Sequence, residues 1–426
     1  MNAQNTVVTA LALTILAGAA HADNLSVFVF EPNIITTSPF RCDAVTNDGS
    51  GLVISAQVAD SSGALRYHTW TWADGVASSL PGSTSPTGDY YDIRLRDVLI
   101  SSASTGGGGS GGSLFVEACA QVSGPIPGSS LWTSPSSSPL HITSDDGQYT
   151  GAFTFTASTS EGRRVFGSTV ADLDGDGRPD LAACSWDVSS SSSVSPPTLL
   201  QMDPLSDFSF ARDASSDGRI VVGTRGRIDR ANSLDMTPEE FSQRACLWTD
   251  GQLADTSNLD AYASSSFVSV CDDGSTALAR CVSSDGTASL VAFDVASSSL
   301  HVLDWLDPDS DDDGVPTAMS ADGSLIGGSS LHTDGSSVAM LWVRQSDGSY
   351  AARTLSSVLD NLGSSGLDGV SFTSVTAVSS NGLTVAGTLT LADGSVRLFS
   401  AAVPSPGTLA LIGAGGLLAA RRRRAH

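Results

Sequence analysis

The sequence predicts an all-β protein assembled from about seven repeats, and three observations carry that expectation. The composition is that of turns: 43 Gly among 426 residues, and 45 acids of which only five are Glu (31, 117, 161, 239 and 240). Asp, Gly and Ser favour turns, whereas Glu, Lys and Leu favour helices. An Asp-Gly or Asn-Gly turn between β-rich runs recurs along the chain. An apolar strand ending in an aromatic residue follows it each time.

The first module appears as 44–58, 142–157, 211–224, 269–281, 317–330 and 374–388. Asp-Gly and Asn-Gly between alternating apolar residues mark a hairpin, because such turns need positive φ. The second module ends at Trp72, Trp132, Trp186, Trp248, Phe293, Trp342 and Phe399, spaced 60, 54, 62, 45, 49 and 57 residues apart. In the second unit 93–101 supplies the strand and the glycine run 106–112 replaces the tight turn. Units three and four carry insertions at 158–180 and 225–243; in the latter, Thr237-Pro238-Glu239-Glu240 reads as the start of a short helix, with Pro at its first position.

Seven units of roughly four short strands each fit a seven-bladed β-propeller. The last unit stops at Val403 soon after its third strand. The segment Leu25–Phe30 is an orphan strand at the other end. Pairing it into the last blade closes the propeller and removes exposed edges. The repeated aromatics then pack between blades. The alternative is an open stack of β-hairpin repeats.

The two ends read as addresses. Residues 1–22 combine an apolar run, Val7–Ala20, with Ala20-His21-Ala22, a signal-peptidase pattern. Residues 404–426 follow a Val-Pro-Ser-Pro turn with a short apolar stretch and four arginines, Arg421, Arg422, Arg423 and Arg424. The apolar stretch is short of the roughly 20 residues of a spanning helix, and the arginines would stay on the cytoplasmic side. Between the ends, 23–403 holds 17 Arg and no Lys against 45 acids, a net −28. Such a surface argues against nucleic acid as a partner and attracts divalent cations.

Three resemblances follow from these residues. The tail resembles the PEP-CTERM sorting signal of Gram-negative bacteria, through Val403, Pro404, Pro406 and the arginine run, with Ser405 where the family has Glu. That resemblance implies an exosortase-type processing enzyme as partner, transient anchoring in the inner membrane through the tail alone, and a destination at the cell surface or in the extracellular matrix. SSDGRIVVG (215–223) and SADGSLIG (320–327), each followed by a strand ending in Trp, resemble the HAF repeat of exported bacterial proteins. This implies an exported propeller-like domain and no reaction. Finally, Asp172-Leu-Asp174-Gly-Asp176-Gly-Arg-Pro-Asp180 resembles the calcium hairpin of FG-GAP and VCBS propeller repeats.

Read as chemistry, carboxylates at positions 1, 3, 5 and 9 of a Gly-containing loop can wrap a hard cation that wants six to eight oxygens. Asp172, Asp174, Asp176 and Asp180 are thus candidate Ca2+ ligands, in a single copy that braces one blade. A second, looser acidic run places Asp307, Asp309, Asp311 and Asp313 together, stiffened by Pro308. Gly108-Gly109-Ser110-Gly111-Gly112 satisfies a nucleophile-elbow pattern only formally, since no strand and helix flank it. His68, His141, His301 and His332 are scattered and expected at the surface. Arg225, Arg227 and Arg230 could meet an anionic glycan or offset local acids.

Six cysteines, 42, 119, 184, 246, 271 and 281, lie in the exported region, where disulfides are permitted. Cys184 and Cys246 each precede a Trp by two residues and are as consistent with buried thiols as with bridges. Cys271 and Cys281 flank one turn and could form a local bridge. No catalytic constellation stands out. The expected function is a non-catalytic, exported structural or interaction module, calcium-stabilised and monomeric. The alternatives are a polysaccharide-binding lectin or glycan enzyme, and an integrin-like adhesion propeller.

Overall fold

The computed structural model describes residues 193–228, 241–303, 315–331, 336–362 and 369–405. Before these it describes the segments 11–13, 25–29, 41–46, 49, 51–59, 65–73, 76–79, 93–101, 113–120, 128–132, 140–142, 154–155, 163–171 and 180–189. The fold is all-β and of the propeller class, with strands that pair antiparallel in chain order to form blades. The chain divides into two compact units. One comprises residues 1–65, 69–79 and 303–426, and the other 66–68 and 80–302.

The first unit holds three blades. Blade 1 runs Arg41–Val45, Gly51–Ala59, Leu65–Ala73 and Val76–Ser79. Blade 6 runs Val315–Met319, Leu325–Leu331, Ser337–Arg344 and Tyr350–Thr354. Blade 7 has three C-terminal strands, Ser371–Val378, Thr384–Thr390 and Val396–Ala402. Its fourth strand is Leu25–Val29, antiparallel to the third with Leu25 opposite Ala401 and Val27 opposite Phe399. The orphan strand is stitched into the last blade as the repeat count required. Leu11–Leu13 adds a short outer strand to it.

The second unit holds blades 2 to 5. Blade 2 is Ile93–Ser101, Ser113–Ala120, Gly128–Trp132 and Leu140–Ile142. Blade 3 is Thr154–Phe155, Arg163–Ala171 and Asp180–Ser189, the last flanked by the two-residue strands Ser193–Val194 and Thr198–Leu199. Blade 4 is Phe208–Ala214, Ile220–Ile228, Phe241–Thr249 and Gln252–Leu253. One parallel bridge, Leu181 to Phe208, joins blades 3 and 4 into a single hydrogen-bonded sheet. Blade 5 is Ser264–Val270, Thr276–Val282, Ala288–Asp294 and Ser299–Val302.

Each repeated aromatic falls on a third strand. Trp186, Trp248, Phe293, Trp342 and Phe399 are all buried there. Trp248, Phe293 and Phe399 sit in cores shared by neighbouring blades. Leu341, Val343 and Leu325 of blade 6 pack with Phe372, Val375, Val385 and Phe399 of blade 7. Val222 and Leu247 of blade 4 pack with Phe267, Val291 and Phe293 of blade 5. Each such side chain withdrawn from water contributes ~1.5–3 kcal/mol. A short helix after blade 6, Leu355–Asn361, adds Leu355, Val358 and Leu359 to the first of these cores. Its N-cap Thr354 accepts the amide of Ser357 at 3.1 Å.

Four expectations need correction. Residues 142–157 are not one hairpin. Leu140–Ile142 pairs with Gly128–Trp132 and ends blade 2, whereas Thr154–Phe155 pairs with Arg163–Ala171 and opens blade 3. The supposed insertion 158–180 contains the second strand of blade 3, paired along its length with Asp180–Val188. His68 is buried, at a period-two spacing from Trp70 and Trp72 on the third strand of blade 1. Cys271 and Cys281 are both free. Cys271 lies in the turn and Cys281 five residues down the strand from Thr276, roughly 16 Å on at strand rise, whereas a disulfide needs Cα atoms within about 7 Å. Cys42, Cys184 and Cys246 are buried free thiols too, and Cys119 lies outside the described side chains.

Candidate functional site

Among the described residues, two polar features repeat from blade to blade on the hairpin of first and second strands. The first is a six-residue turn. It begins at Thr46, Ser215, Cys271, Ser320 and Ser379 in blades 1, 4, 5, 6 and 7. Its fourth residue is Gly in every case, with φ between 66 and 73°, a conformation that only Gly adopts at no steric cost. The first residue's backbone N–H donates to the carbonyl of the sixth, as from Ser320 to Leu325 at 2.8 Å. The sixth residue's N–H donates to the side chain of the first: Ile220 to Ser215 Oγ at 3.0 Å, Leu325 to Ser320 Oγ at 3.0 Å and Thr384 to Ser379 Oγ at 2.9 Å.

The third residue is Asp217, Asp273, Asp322 or Asn381, and its side-chain oxygen accepts from both the first and the fifth residue. Ser320 Oγ donates to Asp322 Oδ1 at 2.8 Å, and the Ser324 amide donates at 3.0 Å. Burial, the strongest single influence on Asp322, pushes its carboxyl up. The hydrogen bonds from Ser324 and Ser320 together outweigh it and hold the group below the usual carboxylate range. In blade 5 a thiol replaces the hydroxyl. Cys271 Sγ donates to Asp273 Oδ1 at 3.0 Å and accepts the Thr276 amide at 3.1 Å. Cys271 is therefore a turn-forming group, its thiol pushed up to about 11 by burial and by the Asp273 bond.

These turns are tied to one another. The second residue's N–H donates to the second residue's carbonyl in the next blade: Ser216 to Asp272 at 2.8 Å, and Ala321 to Ser380 at 2.9 Å. The turn glycines make the close approach possible. A Cβ on Gly274 would lie 2.8 Å from the Ile220 side chain, and one on Gly49 would lie 2.9 Å from Ser400 Oγ.

The second repeated feature is a bulge three residues before the turn. The register skips Asp43, Arg212, Val268, Thr317 and Thr376 in the first strands of blades 1, 4, 5, 6 and 7. Where the skipped residue is Thr, it bridges blades. Thr317 Oγ1 donates to the Val375 carbonyl, and Thr376 Oγ1 donates to the Cys42 carbonyl at 2.5 Å. Each acceptor immediately precedes the next blade's own bulge residue. Between blades 4 and 5 the residue after the bulge serves instead, Asp213 Oδ2 accepting the Val270 amide at 2.8 Å. Arg212 lies over the Phe210 ring, 5.9 Å from its centroid.

Asp43 is the exception. Its side chain is 7% exposed, and Oδ1 meets Arg41 Nε at 3.1 Å. Oδ2 is buried with no hydrogen-bond partner. Burial dominates and pushes its carboxyl up to about 6, against the pull of Arg41 and a hydrogen bond from Ser55. Nothing in residue type announced this position. Only its distance from the turn, shared by five blades, does so.

The candidate metal ligands fall as follows. Asp180 is the first residue of its strand and pairs in register with Ala171, so residues 172–179 connect two paired strands of blade 3 in sequence. Asp172, Asp174 and Asp176, like Asp307, Asp309, Asp311 and Asp313, lie outside the described residues, as does the Asp180 side chain. Among the described residues no group of three or more His, Cys, Asp or Glu could hold a metal. Val403 is buried, its amide donating to the Leu383 carbonyl at 2.9 Å. The chain leaves the fold at half-buried Pro404 and exposed Ser405. Pro406, Arg421, Arg422, Arg423 and Arg424 lie outside the described residues, as do residues 106–112, Arg230 and the 237–240 helix start. Among the described residues no helix is long and apolar enough to cross a membrane.

Repeated four-stranded blades with an N-terminal strand in the last one define a protein of the β-propeller class. No family model matches the sequence, and no curated protein sequence matches it. Solved structures do. TolB from Acinetobacter baumannii is 13% identical over 84% of this chain and 82% of that one, with a TM-score of 0.38. The β-propeller domain of the Trilobed protease from Pyrococcus furiosus is 13% identical over 85% and 96%, with a TM-score of 0.47.

Proposed function

We propose that the chain is an exported, non-catalytic scaffold, held at the cell surface or in the extracellular matrix, whose blades present an acidic surface to partners. The observation that carries this reading is the use made of the repeat's polar residues. The turn acids and hydroxyls that recur from blade to blade are engaged by the turn's own amides and by the neighbouring turn. They build the fold. The sorting tail follows the last blade in sequence after Val403, so an exosortase-type enzyme removing it would take no strand from that blade. Extracellular polysaccharide is the partner class that fits this destination.

The loop between Ala171 and Asp180 supplies the brace. Four carboxylates between paired strands suit Ca2+, whose binding would offset their mutual repulsion. Titrating Ca2+ into the metal-free protein while following thermal unfolding tests this. At ~100 times the dissociation constant, binding adds ~2.7 kcal/mol, and Asp174→Asn should abolish the gain. An unchanged midpoint at saturating Ca2+ removes the metal from the proposal and leaves the scaffold standing. A glycan array addresses the scaffold separately, since hydrolysis of any polysaccharide by the protein would refute a non-catalytic role.

A further inference from the structure

In two blades the bulge position holds a donor. In blades 6 and 7 it carries a threonine hydroxyl that donates to a backbone carbonyl of the next blade. In blade 1 the same position carries Asp43. A carboxylate cannot donate; a carboxylic acid can. Asp43 Oδ2 is buried and bonded to nothing, so ionisation leaves charge on a buried, unsatisfied oxygen.

We propose that Asp43 is a proton-binding position that tightens blade 1 as the surroundings acidify. Protonated, Asp43 carries no charge on its buried, unpartnered Oδ2. Ionised, it holds a buried charge that, among the described residues, is balanced by half-exposed Arg41 and the Ser55 hydroxyl. Among the described residues of the strands packed on this one, no other charge faces that balance. The second strand of blade 1 carries no charged residue, nor do the first and second strands of blade 7. On the third strand of blade 7 the sole charge is Arg397, whose guanidinium donates to the Val396 carbonyl and draws on Asp393. Cys42, next along the strand, is pushed well above the ordinary thiol range by burial and then by Asp43 itself, and stays neutral.

The sign follows from the upward shift. Below the ordinary carboxylate pKa of 3.8 the group is protonated folded or unfolded and contributes no pH dependence. Between 3.8 and about 6 only the folded state holds the proton, so stability falls as pH rises through that window. Above about 6 the penalty is complete. A shift of about two pKa units is about a hundredfold in the folding equilibrium constant.

The test is urea unfolding of the full chain and of Asp43→Asn, from pH 4 to pH 7.5. The chain's other acids are common to both proteins, so the ratio of their folding constants isolates Asp43. That ratio should move about a hundredfold in favour of the variant between pH 4 and pH 7. A ratio independent of pH overturns the proposal. Should Asp43→Asn fail to fold, amide exchange in the wild-type chain provides an independent measurement. After correction for intrinsic rates, protection of Arg41–Val45 should fall as pH rises through 6, while protection of Ser264–Val270 in blade 5 stays level. Equal behaviour of the two strands counts against the proposal.

Discussion

Replacing Gly223 with alanine separates the two reasons a glycine can be required. Gly223 lies in the second strand of blade 4, opposite Ala211 and beside the bulge at Arg212. Its backbone is outside the left-handed region, yet a Cβ there would stand 1.8 Å from the Phe210 carbonyl oxygen and 2.9 Å from its carbon. Ordinary contact begins at 3.4 Å, so the two strands must part by more than an ångström. These neighbours are backbone atoms, and no side chain can swing aside. Overpacking in a tight site costs ~1–3 kcal/mol, and more where backbone must shift; about 3 kcal/mol is expected, a large share of the ~5–15 kcal/mol by which domains are stable. Gly286 is the complement. Its φ is 89°, but a Cβ there meets nothing within 4 Å, so Gly286→Ala should cost only the ~1–2 kcal/mol of the left-handed conformation. Urea unfolding followed by tryptophan fluorescence reads both, since buried Trp248 pairs with Val221 two positions from Gly223. Gly223→Ala unfolding within about 1 kcal/mol of wild type, or Gly286→Ala proving the worse of the two, would refute the account of the bulge.

Two further substitutions test the polar repeats. Cys271→Ser should retain stability to within about 0.5 kcal/mol, because a hydroxyl can make the same bonds to Asp273 and Thr276, whereas Cys271→Ala should lose about 1 kcal/mol; equal melts for the two would show the thiol to be mere filling. Thr376→Val leaves the buried Cys42 carbonyl without its donor and should cost ~1–3 kcal/mol, with Thr376→Ser restoring most of it in the same unfolding experiment.

The blade count and the closing strand were legible because they depend on long-range regularity. Seven aromatics on third strands and a fourth strand missing after Val403 do not depend on any single boundary. Blade 3 was misread for a local reason: Asp145-Asp146-Gly147 carries the hairpin signal, yet the strands on either side of it pair with different partners. Register with a third strand decides blade membership, and a turn dipeptide contains no information about it. The helix Leu355–Asn361 escaped because seven residues are too few to show helical periodicity. Its stability comes from the buried face of Leu355, Val358 and Leu359.

The polar ladder was hidden for a different reason. The turn's chemistry can be read from composition, since hydroxyl or thiol, carboxyl or amide, and Gly each have a fixed bond to make. The bulge residue has no such signature, and Asp, Arg, Val and Thr all occupy it. What the five positions share is backbone geometry, set by the turn three residues downstream, which pins the register of the hairpin and forces one residue out of the pairing. The side chain at that place is then free to differ between blades, and reaches the next one where it is Thr317 or Thr376. A repeat protein can thus vary its interblade contacts one blade at a time without disturbing the hairpin that presents them. By the same logic, transferring the carboxyl to blade 7 as Thr376→Asp should destabilise the fold increasingly from pH 4 to pH 7, and Asp43→Thr should relieve blade 1 over the same range.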